Sequence, residues 1–514
     1  MSEPSNMPGF APTKTRRNSL TKLPSPTVGD MVSDSGTGQI ESYYDEASIR
    51  ALTRKIDRRI LPLMCAIYFL QYLDKTLLNY ASVMGLNTDT KLVGNEYALL
   101  GTGFYIGYLV WEPPTNYLMQ RLPLAKYLSG NIVVWGAMVA LHACAKNFAG
   151  LMTLRVLLGV FESCVAPSLV LITGQWYTRA EQSRRLGIWY LQIGIAQMLG
   201  SLMSWGLQHL HGAALKNYQI LFLLFGLLTI VLGITVYIFL PSSPADAKWL
   251  TTEEREMLLF HVQGDTKGKS VSDRQWRWSQ VSTTLREPTT WLVILITALT
   301  MIDNGAVSNF SSIIIKSFGF SGIQTTLLNF PNGVVTIFAT FFSTFLAASF
   351  PRLRLTILTA LLIPSIIGGI MLVTLPTTAK GALLVGVYLL NSAPAGLPLI
   401  YGLMAANFTG YTRKATINAL VLMGFCLGNI IGPQSFVPAQ APAYRGAKIG
   451  IVVTLAAAGG LCMVLRWMWK KENERREEGS GTGVVVELSG KAGSVEREED
   501  EITDLDNKAF RYVY

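Results

Sequence analysis

Charge is scarce in this chain. Of its 514 residues only 15% are charged, where soluble proteins carry about a quarter, and 50% are hydrophobic. Histidine and cysteine are scarcer still. The four histidines, His142, His209, His211 and His261, are scattered and form no metal box, which argues against a membrane enzyme built on a histidine cluster. The five cysteines, Cys65, Cys144, Cys164, Cys426 and Cys462, all fall in apolar stretches and show neither CxxC spacing nor a disulfide framework. They read as small packing residues. No secretory signal opens the sequence. Residues 1–50 are rich in Ser, Pro, Gly and Thr and read as disordered, so the first apolar segment has to target the chain. No cofactor or metal is expected.

What the chain has in place of charge is long apolar runs, with a mean hydropathy of +0.34. From Ile60 to Trp469 these recur as about twelve segments, each near the roughly 20 residues that span a bilayer as a helix. The fold class is therefore an all-α integral membrane protein. Six spans, a polar stretch from Pro241 to Pro288 and six more spans suggest a duplication. The expected layout is a disordered tail (1–56), a six-helix bundle (57–240), a linker (241–289), a second six-helix bundle (290–469) and a disordered, acidic-ended tail (470–514). Within the linker, Thr251 to Val262 opens with Thr and acids as a helix should.

The formal charge of +10 could suggest a nucleic-acid partner, but the cations sit at helix ends. Arg54, Lys55, Arg58 and Arg59 precede the first span; Arg121 and Lys126, then Arg179, Arg184 and Arg185, then Arg413 and Lys414 recur on the same side. This is a topology signal that places both termini in the cytoplasm, with the bilayer and not nucleic acid as the partner. The basic aromatic run Arg274 to Trp278 is likewise expected at the lipid headgroups.

Two full charges interrupt the first span, at Asp74 and Lys75. A charge at the bilayer centre costs at least about 2.5 to 3.5 kcal/mol, so it normally faces a protein interior or a water-filled path. Tyr68, Gln71, Asp74, Lys75, Asn79 and Ser82 share an arc of about 140° on a helix turning 100° per residue. In the fourth span Arg155, Gly159, Glu162 and Ala166 also share one face. An acid and a cation on each of two helices can exchange partners: neutralising one carboxylate frees a cation for a substrate carboxylate. The competing readings are an ion pair that only holds helices together and, for Arg155, a gate that touches no substrate. Tyr72, Gln192, Asn304 and Asn429 complete the candidate substrate site, the two asparagines because they lie near mid-span. A membrane Asn more often bonds a neighbouring helix. Gly424, Gly428 and Gly432 give the eleventh span a flat face, and Glu112-Pro113-Pro114 is expected to distort the second span and leave Glu112 near the surface.

The stretches FLQYLDKTLLNYASVMGL (69–86), NYLMQRLPLAKYL (116–128), RVLLGVFESCVAPSLVLITGQWY (155–177), SSIIIKSFGFSGIQTTLLNFPNGV (311–334) and NALVLMGFCLGNIIGPQSF (418–436) resemble the major facilitator superfamily. More narrowly, they resemble its anion:cation symporters and their allantoate permease branch. The resemblance implies twelve helices, alternating access and proton-coupled uptake of small organic anions. In related galactonate and sialic-acid symporters, the positions matching Asp74, Lys75, Arg155 and Glu162 serve coupling and substrate binding. The resemblance thus assigns Asp74 and Glu162 to the proton and Lys75 and Arg155 to the anion. Lys75 stands where those relatives often carry Arg, and binds as a point charge without a planar fork. The loop NYLMQRLP lacks the superfamily's usual GxxxDRxG, a departure shared by the allantoate permease branch.

The expected function is a proton-driven importer of a ureido acid, short peptide or carboxylate vitamin, acting as a monomer at the plasma membrane, with an intracellular membrane as the alternative site. An efflux carrier is disfavoured because the fifth span, GIWYLQIGIAQMLGS, lacks a Gly-Pro antiporter pattern. A non-transporting nutrient sensor is the third reading.

Overall fold

Every regular element in the computed structural model is helical among the described residues, which are 45–265, 276–480, 503–505 and 510–514. Two helices of crossing length come first: α1 (Leu61–Val83) with 23 residues and α2 (Glu96–Arg121) with 26. Ten more are long and apolar enough to cross a membrane. These are α3 (Leu124–Cys144), α4 (Phe148–Trp176), α5 (Arg184–Leu207), α6 (Asn217–Phe239), α7 (Pro288–Ser317), α8 (Gly322–Ser349), α9 (Arg354–Thr374), α10 (Lys380–Asn407), α11 (Tyr411–Gln434) and α12 (Arg445–Glu478). At about 1.5 Å per residue each is long enough for a bilayer core.

Four of these spans are broken. Helix geometry lapses at Ser163 and Cys164 in α4, at Leu191 in α5, at Asn329 in α8 and around Asn391 and Ser392 in α10. Proline explains three of the four. Pro167, Pro331 and Pro394 lack the N–H that would bond the carbonyl four residues back, so the ladder lapses in the turn before each of them. The breaks in α8 and α10 leave polar side chains, Asn329 and Asn391, on a pocket between the halves, a position in which irregular membrane backbone is tolerated.

Elsewhere the helices pack closely through glycine. A Cβ on Gly428 would stand 2.3 Å from the Ala298 carbonyl oxygen, and one on Gly432 2.4 Å from that of Ile302. The flat face of α11 therefore lies against α7. In the first half a Cβ on Gly159 of α4 would stand 2.0 Å from the Phe104 oxygen of α2.

The two halves meet along α1 with α7, α2 with α11 and α5 with α8. At the end of the bundle remote from the chain termini they are joined by directed bonds. Asn95 donates to Gln434 at 2.6 Å, Gln434 donates to Thr102 at 2.8 Å, and the Tyr97 hydroxyl donates to the Asn309 carbonyl at 2.7 Å. On the opposite flank Gln208 donates to the Thr326 hydroxyl at 2.8 Å.

Several expected boundaries shift. The segment read as a tail up to residue 56 contains the helix Glu46–Arg59, which buries Leu52 and Ile56. Lys55 pairs there with Glu254 of the linker at 2.7 Å, and Asp57 pairs with Arg185 at 3.0 Å. Alternating apolar and basic residues gave that helix a buried face that composition alone conceals. Residues 1–44, read as disordered, lie outside the described residues. The linker helix runs Thr252–Asp265 and is closed by a capping box: the Thr251 hydroxyl accepts from the Glu254 N–H at 3.2 Å and Glu254 accepts from the Thr251 N–H at 2.9 Å. Of the basic aromatic run, Arg274 and Gln275 lie outside the described residues, while Trp276 and Trp278 are exposed. The last helix continues to Ser480, and parts of the supposed C-terminal tail pack back against the bundle. Glu112 is not at a surface, because α2 runs on through both prolines to Arg121 and keeps the carboxyl buried. Cys144 is exposed at the end of α3, so it is not a packing residue.

Gly159→Val should lower stability by about 1 to 3 kcal/mol, the usual cost of overpacking a filled interface. A clear drop in the thermal unfolding midpoint of the purified protein is the expected reading; an unchanged midpoint would contradict the close α2–α4 contact.

Candidate functional site

Adjacent residues on a helix point about 100° apart, and this decides the fate of the Asp74–Lys75 pair. Asp74 lies at the edge of the polar arc and turns into the first bundle, where it is 1% exposed. Its Oδ2 accepts from the Trp135 indole of α3 at 2.7 Å and from the Thr229 hydroxyl of α6 at 2.8 Å. Lys75 turns instead toward two tyrosines, Tyr72 of its own helix and Tyr105 of α2. Its ammonium lies 4.5 Å from the centre of the Tyr72 ring and 5.9 Å from that of Tyr105. It is half-buried, and among the described residues no carboxylate lies within the 4 Å of a salt bridge. Stacking over aromatic faces holds a cation there without neutralising it.

The fourth span supplies the other two charges. Glu162 closes the first half of α4 just before its break, is fully buried, and accepts from Gln71 at 2.5 Å through one oxygen while the other has no hydrogen-bond partner. Arg155, 1% exposed, donates to the Lys75 carbonyl at 3.4 Å; its Nε and Nη2 have no hydrogen-bond partner. Electrostatic interaction links Glu162 with Lys75, Asp74 and Arg155. The four charges thus form one cluster, but not two contact pairs.

Beside it lies a small polar pocket walled by α1, α5, α7, α8 and α10. Its lining is uncharged and rich in amides, and the amides are chained together. Asn79 donates to Ser311 at 2.7 Å, Ser311 to Asn329 at 3.0 Å, Asn332 to Asn329 at 3.0 Å and Asn391 to Asn332 at 2.9 Å. Gln197 continues the belt, donating to the Tyr72 hydroxyl at 3.0 Å and accepting from Thr336 at 2.8 Å. The belt runs from one half into the other and ends on the tyrosine over which Lys75 sits.

Other expected site residues fall elsewhere. Asn304 donates to Asn429 at 2.8 Å, and Asn429 donates to the Phe425 carbonyl at 2.8 Å. The Asn304–Asn429 bond clasps α7 to α11, because the glycine face beside them draws the two helices together and brings the amides into contact. Gln192 follows the break in α5 and makes only a 3.5 Å contact to the Ile188 carbonyl, outside the cavity lining. Gln197, five residues on, takes the cavity position. Asn329 and Asn332 were missed, although the Asn-Phe-Pro sequence that marks the break in α8 is their signal. Also missed was Asp303 of α7, fully buried with neither carboxylate oxygen hydrogen-bonded. Its signal is internal repetition. LDKTLLNY in the first span of one half and IDNGAVSNF in the first span of the other each set an Asp five or six residues before an Asn-aromatic pair.

Twelve helices in two halves around a polar cavity define a multi-pass membrane transporter. A model of the Major Facilitator Superfamily matches residues 64–433, and the chain belongs to that superfamily. It is 36% identical to the thiamine pathway transporter THI73 of Saccharomyces cerevisiae over 97% of this chain and 92% of that one. It is 32% identical to the allantoate permease of the same yeast, over 90% of this chain and 86% of that one, which supports the allantoate permease-like branch. Among solved structures it resembles a bacterial homolog of the human lysosomal transporter Spinster in an inward-facing, unoccupied conformation. The TM-score is 0.60 at 17% identity, covering 83% of this chain and 99% of that one. The relatives are transporters and not enzymes.

Asn304→Ala should lower the thermal midpoint, by the roughly 1 kcal/mol of one hydrogen bond, yet leave the substrate concentration for half-maximal uptake unchanged. Gln197→Ala should raise that concentration severalfold. The reverse pattern would return Asn304 to the binding site and remove Gln197 from it.

Proposed function

We propose that the chain is a proton-coupled importer of a small organic anion, working by alternating access as a monomer in the plasma membrane with both termini in the cytoplasm. The observation that carries this reading is the Lys75 ammonium, which lies over the Tyr72 ring that walls the pocket, with no carboxylate in contact among the described residues. An uncompensated cation inside a membrane protein is costly, so it favours an anionic ligand. Glu162 is the internal competitor for it. While Glu162 carries a proton, Lys75 attracts the substrate's carboxylate; when Glu162 ionises, its charge compensates Lys75 and the anion leaves. Gln71 holds one Glu162 oxygen throughout, which keeps the carboxyl oriented for the exchange.

Arg155 and Asp74 have supporting places. Arg155 holds the Lys75 backbone and senses both carboxylates, while Asp74 anchors α1 to α3 and α6 and its charge is felt at Glu162. The amide belt suits a substrate that presents amide or ureido groups beside its carboxylate. Allantoate, the compound in one relative's name, has that chemistry. A ureido acid is therefore the first class to test, ahead of a carboxylate vitamin or short peptide.

Uptake of a labelled ureido acid into cells expressing the chain should rise at acid external pH and collapse with a protonophore. Flux indifferent to both would sink the coupling. Glu162→Gln should retain binding and exchange but lose accumulation against a gradient, whereas Lys75→Gln should weaken binding tenfold or more, about 1.4 kcal/mol. A Glu162→Gln chain that still concentrates substrate normally would remove that carboxyl from the mechanism.

A further inference from the structure

At the end of the second bundle that carries the chain termini, the last residues of the sequence fold back into a site of unusual regularity. Asn473, near the end of α12, donates to the Tyr512 carbonyl at 2.9 Å and accepts from the Tyr512 N–H at 2.9 Å. Asn407, at the end of α10, does the same for the next residue, donating to the Val513 carbonyl at 2.6 Å and accepting from its N–H at 2.7 Å. Each amide pairs both backbone groups of one residue, as a neighbouring strand would, so two successive peptide units are captured whatever their side chains. Asn407 is fully buried and Asn473 is 9% exposed, and an empty site would leave those amides unpaired.

Side chains add selectivity. The Tyr512 ring stacks on Trp469 with centroids 5.8 Å apart and planes 4° from parallel. Its hydroxyl donates to Asp504 Oδ2 at 3.0 Å. Asp504, fully buried, also accepts from the Thr409 N–H at 3.0 Å and from Arg413 at 3.0 Å, and Arg413 pairs in turn with Glu287 at the start of α7. Arg476 of α12 donates to the Asp504 and Phe510 carbonyls, each at 3.1 Å. Contacts to the segment thus come from the ends of α10, α11 and α12, and through Glu287 reach α7.

We propose that this end of the bundle is a peptide-binding site whose resident ligand is the chain's own residues 503–505 and 510–514. The ligand class is a peptide that presents a buried acid and, further along the chain, an aromatic residue. Occupancy ties the ends of four helices into one body. In alternating access the halves turn largely as bodies, so the bound segment governs how rigidly the second half moves. This assignment is independent of the transported substrate.

The test uses the full-length purified chain with its own ligand disabled by Asp504→Ala and Tyr512→Ala. A fluorescent synthetic peptide of residues 503–514 should bind this variant saturably and bind the unaltered chain at least tenfold more weakly, because there the site is filled. Adding Asn407→Ala and Asn473→Ala should weaken peptide binding a further tenfold or more. In the unaltered chain, hydrogen exchange at the Tyr512 and Val513 amides should be at least tenfold slower than in the free peptide. A folded variant that ignores the peptide overturns the proposal. Exchange of both amides at the free-peptide rate overturns it too, and that reading stands even where the variant does not fold.

Discussion

The arrangement depends on the cost of a charge inside a membrane protein. Four charges meet where α1 and α4 cross, and three of them are turned into the first bundle, where protein dipoles hold them in part: Trp135 and Thr229 on Asp74, Gln71 on Glu162, the Lys75 carbonyl on Arg155. Lys75 alone among the four is cushioned by tyrosine rings, one of them the Tyr72 ring that walls the pocket, which attract a cation but carry no net charge. The partner that completes its electrostatics comes either from Glu162 or from outside. In the proposed mechanism such an exchange would convert a structural cost into coupling, because the two partners exclude each other.

Polar readout is kept apart from that charge. The belt from Asn79 through Asn329 and Asn391 to Gln197 hydrogen-bonds within itself across both halves, and much of it sits where helices break. Amides are suited to this place because each carries donors and an acceptor that can be traded between a neighbour and a ligand. Two of the belt's bonds, Asn79 to Ser311 and Thr336 to Gln197, cross the seam between the halves. A ligand that replaces them would loosen the seam as it binds, which links occupancy to motion without a separate relay.

Fold and membrane character were legible from apolar run lengths and from the cations at helix ends, because both are set by the bilayer and not by tertiary detail. The charged residues of the site were legible for the same reason: Asp74, Lys75, Arg155 and Glu162 stand out against an apolar background. Their pairing was not, since neighbours in sequence diverge by 100° and Asp74 found its partners on α3 and α6. The uncharged residues were read less well. An asparagine carries the same letter whether it clasps two helices, as Asn304 and Asn429 do, or lines a cavity, as Asn391 does. Helix periodicity cannot separate the two without knowing which neighbour approaches. The docked C-terminus escaped notice because composition marks a segment as polar long before it marks it as bound.

The proposed coupling requires that Glu162 and a carboxylate ligand compete for Lys75. It is tested most directly by a double-mutant cycle on equilibrium binding of one candidate ureido acid to the purified chain, comparing Lys75→Gln, Glu162→Gln and the two combined. The account predicts that Glu162→Gln tightens binding at neutral pH, that the gain vanishes once Lys75 is replaced, and that the pH dependence of binding disappears with Glu162. Equal effects of Glu162→Gln with and without Lys75 would contradict it.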